Sequence, residues 1–143
     1  ERDIRMTKQE VKDEMKDLEG DPKIRARRLR VMRQLAMQRM MQSVPKADVV
    51  ITNPTHYAIA LEYKHGMHQA PMVLAKGTDH LALRIREKAR EHGIAIVERP
   101  ELARKLYPLV KPGDPIPEEF FQTVAEIISY VFQISGRTQE LTV

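Results

Sequence analysis

Residues 48–63 read Asp-Val-Val-Ile-Thr-Asn-Pro-Thr-His-Tyr-Ala-Ile-Ala-Leu-Glu-Tyr. The β-branched run 49–51 is typical of a buried strand, and the apolar segment 57–63 predicts a second strand. Asparagine followed by proline favours a turn, because Asn suits the first position of a β-turn and Pro the second. This stretch therefore predicts two strands joined by the tetrapeptide Asn53-Pro54-Thr55-His56.

The sequence on either side adds two strands and five helices. Residues 72–75 and 94–97 are short apolar runs next to proline or glycine, which predicts strands. Helices are predicted from Thr7 to Leu18, over about 22–43, from Thr78 or Asp79 to Gly93, from Pro100 to Tyr107 and over about 118–134. Strands mixed with helices predict an α/β fold, with a small four-stranded mixed sheet flanked by helices.

Composition excludes several classes of protein. The chain has 143 residues and no cysteine, which excludes disulfide frameworks, cysteine-based zinc sites and a thiol nucleophile. No apolar run approaches the roughly 20 residues that span a bilayer. Because the chain begins without Met or an apolar signal segment, we expect a soluble piece of a longer protein, with any membrane anchor outside it.

Basic residues are concentrated near the N-terminus. Between Pro22 and Lys46 there are eight basic residues and no acidic one. We therefore predict a projecting basic helical arm over 1–46 and a globular α/β domain over 47–143. Such an arm favours an anionic partner, and a solvated helix face accounts for the charge equally well. The candidate contact residues for a membrane or another partner are Arg25, Arg27, Arg28, Arg30 and Arg33.

The second predicted helix also carries apolar residues at helical spacing. Leu29, Met32, Ala36 and Met40 are expected on one stripe that packs against other parts of the chain.

The Asn53-Pro54 bond allows an unusual reaction. Proline has no N–H, so the usual attack of the next backbone nitrogen on the Asn side chain is closed. The side-chain nitrogen of Asn53 can instead attack its own backbone carbonyl and expel the Pro54 nitrogen. His56 is near enough in sequence to move protons. The tetrapeptide alone leaves two interpretations open, an ordinary turn and a self-cleaving bond.

The surrounding residues favour cleavage, because they resemble the FlhB/YscU family of type III secretion export-switch proteins. The segment 46–61 resembles the cleavage region of that family and carries Asn-Pro-Thr-His unaltered. Further similar segments are Glu19-Gly20-Asp21-Pro22, Ala75-Lys76-Gly77 and Glu101-Leu102-Ala103-Arg104-Lys105-Leu106-Tyr107. The resemblance covers roughly residues 3–134 and is greater to the flagellar branch than to the injectisome branch.

The resemblance implies a cytoplasmic domain of an inner-membrane protein that cuts itself between Asn53 and Pro54. Asn53 and Pro54 carry over as the scission pair, and Thr55 and His56 as modulators. The cut halves would stay together, and export would switch from rod and hook subunits to filament subunits. The implied partners are other export-apparatus proteins, a hook-length control protein and the exported subunits. The reaction would be a single intramolecular turnover, so the chain is not expected to be an enzyme.

Two other functions receive less support from the sequence. A nucleic-acid-binding module would use the 22–46 arm, but no aromatic residue lies there to stack on bases. His65 and His68 resemble a metal pair without a third ligand near in sequence. We therefore expect no nucleic acid, metal or cofactor, and we predict a frayed tail from Gly136.

Overall fold

The computed structural model describes residues 7–54, 56–63 and 70–135, with only the backbone described over 15–19. Predictions that concern Thr55, the 65–68 histidines and the tail from Gly136 therefore lie outside the described residues. The chain divides into two compact units, the first ending at Gln38 and the second beginning at Arg39. This division lies earlier in the chain than the boundary predicted between 46 and 47.

The first unit is helical. Helix α1 (Lys8–Glu19) begins with a capping box, in which the Glu10 amide donates to Thr7 Oγ1 at 3.0 Å and the Thr7 amide donates to Glu10 Oε2 at 3.2 Å. Gly20, at φ +87°, ends α1. Asp21 then accepts a hydrogen bond from the Lys23 amide at 2.8 Å, at the start of helix α2 (Pro22–Ser43).

The second unit is built on a four-stranded sheet. Its strands are β1 (Val49–Asn53), β2 (Tyr57–Glu62), β3 (Met72–Thr78) and β4 (Ala95–Glu98). Their order is β3-β2-β1-β4, with β4 parallel to β1 and the other neighbours antiparallel. Helices α3 (Asp79–Glu91), α4 (Pro100–Leu106) and α5 (Phe121–Ser135) complete the unit. The predicted α/β fold with a mixed sheet is therefore confirmed.

Both faces of the sheet are buried, which is why the central strands are apolar without alternation. On one face Ile51 and Ile59 pack in a cluster with Leu106 from α4 and Ile128 from α5. On the other face Val50 packs in a second cluster that includes Met41, Val44, Ala75, Ala82, Ile85 and Ala89. Alternate residues of β1 therefore enter two separate cores.

The loop that follows α4 pairs with the start of β3 at its outer edge. The Val73 amide donates to the Asp114 carbonyl at 2.9 Å, and the Gly113 amide donates to the Val73 carbonyl at 2.7 Å. These bonds satisfy backbone groups that an exposed edge strand would present to another chain.

The prediction that the apolar stripe on α2 packs against other parts of the chain is wrong. Leu29 and Met32 are 48% and 63% exposed, and Ala36 is also exposed. The stripe was inferred from spacing, which identifies a helix face and not what covers it. Burial begins only near the end of α2, where Met40 is half-buried and Met41 is buried. Among the described residues, no helix is both long and apolar enough to cross a membrane.

Candidate functional site

The Asn-Pro tetrapeptide lies where β1 turns into β2. Asn53 is the last residue of β1 and is paired with Tyr57 of β2. The carbonyl oxygen of Asn53 accepts a hydrogen bond from the backbone N–H of His56 at 2.9 Å, which closes a tight turn around Pro54. Asn53 and Pro54 are half-buried, whereas His56 is exposed. The structure thus confirms the predicted turn.

The strand that leads into this turn is held on both sides. β1 pairs with β2 along one edge from Val49 to Asn53, and with β4 along the other from Val49 to Thr52. Just beyond the β4 pairing, the Thr52 carbonyl accepts from the Arg99 amide at 2.9 Å. Thr52 itself is 2% exposed. The backbone is therefore fixed up to the residue before Asn53.

His56 faces the start of α3. Its ring Nδ1 lies 3.6 Å from Asp79 Oδ1, and the Asp79 backbone N–H donates to the His56 carbonyl at 3.0 Å. Asp79 has φ +46°, a left-handed conformation that is uncommon for residues other than glycine. From the sequence, Asp79 is predicted only as a possible start of a helix, because its proximity to His56 depends on the pairing of β2 with β3.

An aromatic contact lies beside the turn. The rings of Tyr57 and Tyr107 have centroids 4.7 Å apart, and the Lys76 ammonium lies 4.3 Å from the centre of the Tyr107 ring. Lys76 also donates to the Tyr107 carbonyl at 2.9 Å. Burial raises the pKa of the Tyr107 hydroxyl above its ordinary value of 10.0, partly offset by a hydrogen bond with Thr78. This contact was missed from sequence, where these residues were noted only within family-like segments.

The arrangement suits an intramolecular reaction at the Asn53 carbonyl. A backbone N–H already points at the oxygen on which negative charge develops when that carbonyl is attacked. Within 7–54, 56–63 and 70–135, no group of three or more His, Cys, Asp and Glu residues is placed to hold a metal ion.

The candidate partner residues on α2 belong to the first unit. Arg25, Arg27, Arg28, Arg30 and Arg33 are all exposed on this one helix, and the Arg25 guanidinium donates to the Gly20 carbonyl at 3.2 Å. Large apolar side chains are exposed on the same helix, namely Ile24, Leu29, Val31, Met32, Leu35 and Met37. The arm therefore presents both positive charge and apolar area.

The sequence of this chain is similar to the sequences of known proteins. Residues 1–131 match the sequence model described as the FlhB HrpN YscU SpaS Family. The flagellar biosynthetic protein FlhB of Bacillus subtilis (strain 168) is 54% identical over 133 residues, which are 93% of this chain and 37% of that protein. FlhB of Helicobacter pylori (strain ATCC 700392 / 26695) is 50% identical over 137 residues, which are 96% of this chain and 38% of that protein. The chain thus spans little more than a third of the length of these relatives.

Solved structures share the fold. The crystal structure of the cytoplasmic domain of FlhB from Shewanella putrefaciens aligns with a TM-score of 0.66 and 46% identity, over 73% of this chain and 83% of that one. An asparagine-to-alanine variant of the EscU C-terminal domain aligns with a TM-score of 0.62 and 37% identity, over 64% of this chain and 92% of that one. Other EscU structures carry an alanine at the proline that follows this asparagine, or at a histidine two residues after the proline. These three positions have the same spacing as Asn53, Pro54 and His56.

Proposed function

The chain belongs to the FlhB HrpN YscU SpaS family, and on that premise we propose that it cuts its own backbone between Asn53 and Pro54 by asparagine cyclisation. The observation that carries this proposal is the 2.9 Å hydrogen bond from the His56 amide to the Asn53 carbonyl. It supports cleavage because it polarises the carbonyl that must be attacked.

The reaction needs no external nucleophile. The side-chain nitrogen of Asn53 adds to its own backbone carbonyl carbon, and collapse of the intermediate breaks the bond to the Pro54 nitrogen. One proton passes from the Asn53 amide to the leaving Pro54 nitrogen. The products are a C-terminal succinimide on Asn53 and a free secondary amine on Pro54. Since each chain reacts once, this is a single turnover and not enzymatic catalysis.

Two features of the fold favour this reaction. The pairing of β1 on both edges fixes the backbone on the N-terminal side of the bond, which helps to hold amide and carbonyl near attack distance. His56 is 65% exposed at its side chain and follows the bond closely, so it can exchange protons with the reacting groups and with water. In this proposal Thr55 and His56 modulate the rate, whereas Asn53 and Pro54 carry the scission.

Mass spectrometry of the purified 143-residue chain tests the proposal. We expect two masses from the wild-type chain, those of residues 1–53 and 54–143, and one intact mass from Asn53→Ala, which lacks the attacking amide. Pro54→Ala is expected to slow the cut, because it restores a competing N–H and relaxes the turn. Breakage of the same bond in Asn53→Ala would show that the mechanism is wrong.

We further propose that this chain is the cytoplasmic domain of a flagellar type III export component of the bacterial inner membrane. The 54% and 50% identities to flagellar biosynthetic proteins support the assignment to the flagellar branch. Its partners would be other export-apparatus proteins, a hook-length control protein and the exported rod, hook and filament subunits.

In this role the cut switches export from rod and hook subunits to filament subunits. Cleavage leaves Pro54 at a new chain end beside the exposed His56, which alters the surface around 53–57. A bacterial strain whose own full-length protein carries Asn53→Ala is expected to export rod and hook proteins without filament protein. Normal filament export by that strain would show that the switch does not require cleavage.

A further inference from the structure

Asp79 contacts the cleavage turn through two separate groups. Its backbone N–H donates to the His56 carbonyl at 3.0 Å, and its carboxylate Oδ1 lies 3.6 Å from His56 Nδ1. One contact fixes the main chain of His56 and the other faces its ring. Asp79 is the first residue of α3, immediately after β3, and β3 pairs through Thr78 with Tyr57. The position of Asp79 is therefore set by the sheet.

The fold gains only limited stability from this carboxylate, which lies in the first turn of α3. Asp79 has φ +46°, a left-handed conformation that Asp and Asn adopt more readily than other non-glycine residues. Its side chain is 76% exposed and that of His56 is 65% exposed. An ion pair with so much exposure contributes little to folding. An exposed acid that faces a histidine beside the Asn53-Pro54 bond is a candidate for a functional role.

We propose that Asp79 is a positioning residue for the cleavage step, because its carboxylate holds His56 with the ring proton on Nδ1 and leaves Nε2 free to carry a proton. The 3.6 Å separation is longer than a hydrogen bond, and such contacts often tighten only in the reacting geometry. The tautomer of a histidine is set by the hydrogen bond that its other nitrogen makes. This inference rests on the proposed self-cleavage.

The proton passes between Asn53, His56 and Pro54, and no further proton donor or acceptor is needed. Nε2 of His56 takes one proton from the Asn53 side-chain amide as its nitrogen bonds to the backbone carbonyl carbon. The resulting imidazolium is stabilised by the facing carboxylate of Asp79. The same proton then passes to the Pro54 nitrogen as the C–N bond breaks, and His56 returns to its neutral form. Neither His56 nor Asp79 is consumed.

Cleavage rates of variants of this chain test the role. The 143-residue chain is made in a cell-free translation pulse, and samples are denatured at intervals and separated on a gel. Asp79→Asn keeps the size and fits the left-handed backbone as Asp does, and Asp79→Gly also fits this backbone while removing the side chain. Both are expected to cleave about ten-fold more slowly, a part of the 10²–10⁴ typical of acid–base groups. Glu87→Gln, which removes an exposed charge from the same helix, is expected to cleave as wild type.

Nitrogen-15 NMR of the His56 ring separates positioning from a general structural effect. Spectra are taken on the chain carrying Asn53→Ala, which stays intact, and His56 is assigned from its loss in His56→Gln. We expect the Nδ1–H tautomer when Asp79 is present and a shift towards Nε2–H in Asp79→Asn.

The outcomes distinguish this inference from the proposed function. If the wild-type chain is not cut between 53 and 54, the proposed function fails. If the wild type is cut and both Asp79 variants cleave within about two-fold of it, the positioning role is wrong. An unchanged His56 tautomer in Asp79→Asn, or slowing by the glycine variant alone, would also overturn it.

Discussion

Helix α2 and strand β1 are neighbours in sequence, yet the helix exposes large apolar side chains and the strand buries them. Ile24 on α2 is 52% exposed, whereas Ile51 on β1 is fully buried. The helix satisfies its own backbone hydrogen bonds, so it can form without covering its apolar side chains. The strand exists because β2 and β4 pair with it and two cores enclose it. The proposed fragment 1–53 thus contains a helix, α2, that can form without the rest of the chain, and a strand, β1, that depends on it.

The largest expected effect is the retention of the two cleavage fragments in one particle. Both partners of β1 belong to residues 54–143, so release of the first fragment would require the sheet to open along two edges. We expect 1–53 and 54–143 to co-elute on size-exclusion chromatography in native buffer and to separate in denaturant. Separation in native buffer would show that pairing with β2 and β4 does not retain β1 after the cut. It would also point to release of a fragment as the export signal.

Truncation of one isoleucine in each region is the next test. Ile51→Ala leaves a cavity in a closed core and is expected to lower the free energy of unfolding by about 3 kcal/mol. Ile24→Ala changes an exposed helix position and is expected to change it by less than about 0.5 kcal/mol. Both are measured by urea unfolding in the Asn53→Ala background, where the chain stays in one piece. Equal losses of unfolding free energy in the two variants would contradict the difference in burial between Ile51 and Ile24.

The exposed surface of α2 predicts binding to anionic membranes. Each cation near such a surface contributes about 1 kcal/mol, and salt weakens the attraction. We expect the chain to sediment with vesicles containing phosphatidylserine but not with neutral vesicles. Reversal of Arg27, Arg28 and Arg30 to Glu is expected to abolish this binding. The matched control reverses Arg84, Lys88 and Arg90 on α3, and equal losses in the two variants would exclude α2 as the specific contact.

The smallest expected effect concerns Tyr107 beside the turn. Burial raises the pKa of its hydroxyl, so the folded chain keeps this proton at a pH where the unfolded chain has released it. The resulting stabilisation is complete below pH 10.0 and is lost as pH rises through the raised value. Urea unfolding across pH 9–11, again in the Asn53→Ala background, is expected to show a steeper loss of stability for this chain than for one that also carries Tyr107→Phe. Parallel curves would contradict the pKa shift.

Much of the local structure was predictable from the sequence, because its signals act over a few residues. Thr7 and Glu10 form their capping box within one helical turn, and Gly20 and Asp21 end one helix and begin the next. The Asn53-Pro54 pair predicted the turn, because Asn and Pro favour successive positions of a β-turn.

The tertiary structure decided which distant residues meet. The parallel pairing of β4 with β1, the approach of Asp79 to His56 and the ring contact of Tyr107 with Tyr57 join segments far apart in the chain. Periodicity cannot specify such contacts, because it records which face of an element is apolar and not what covers that face. For the same reason the spacing on α2 correctly predicted a helix and wrongly predicted that Leu29 and Met32 are packed.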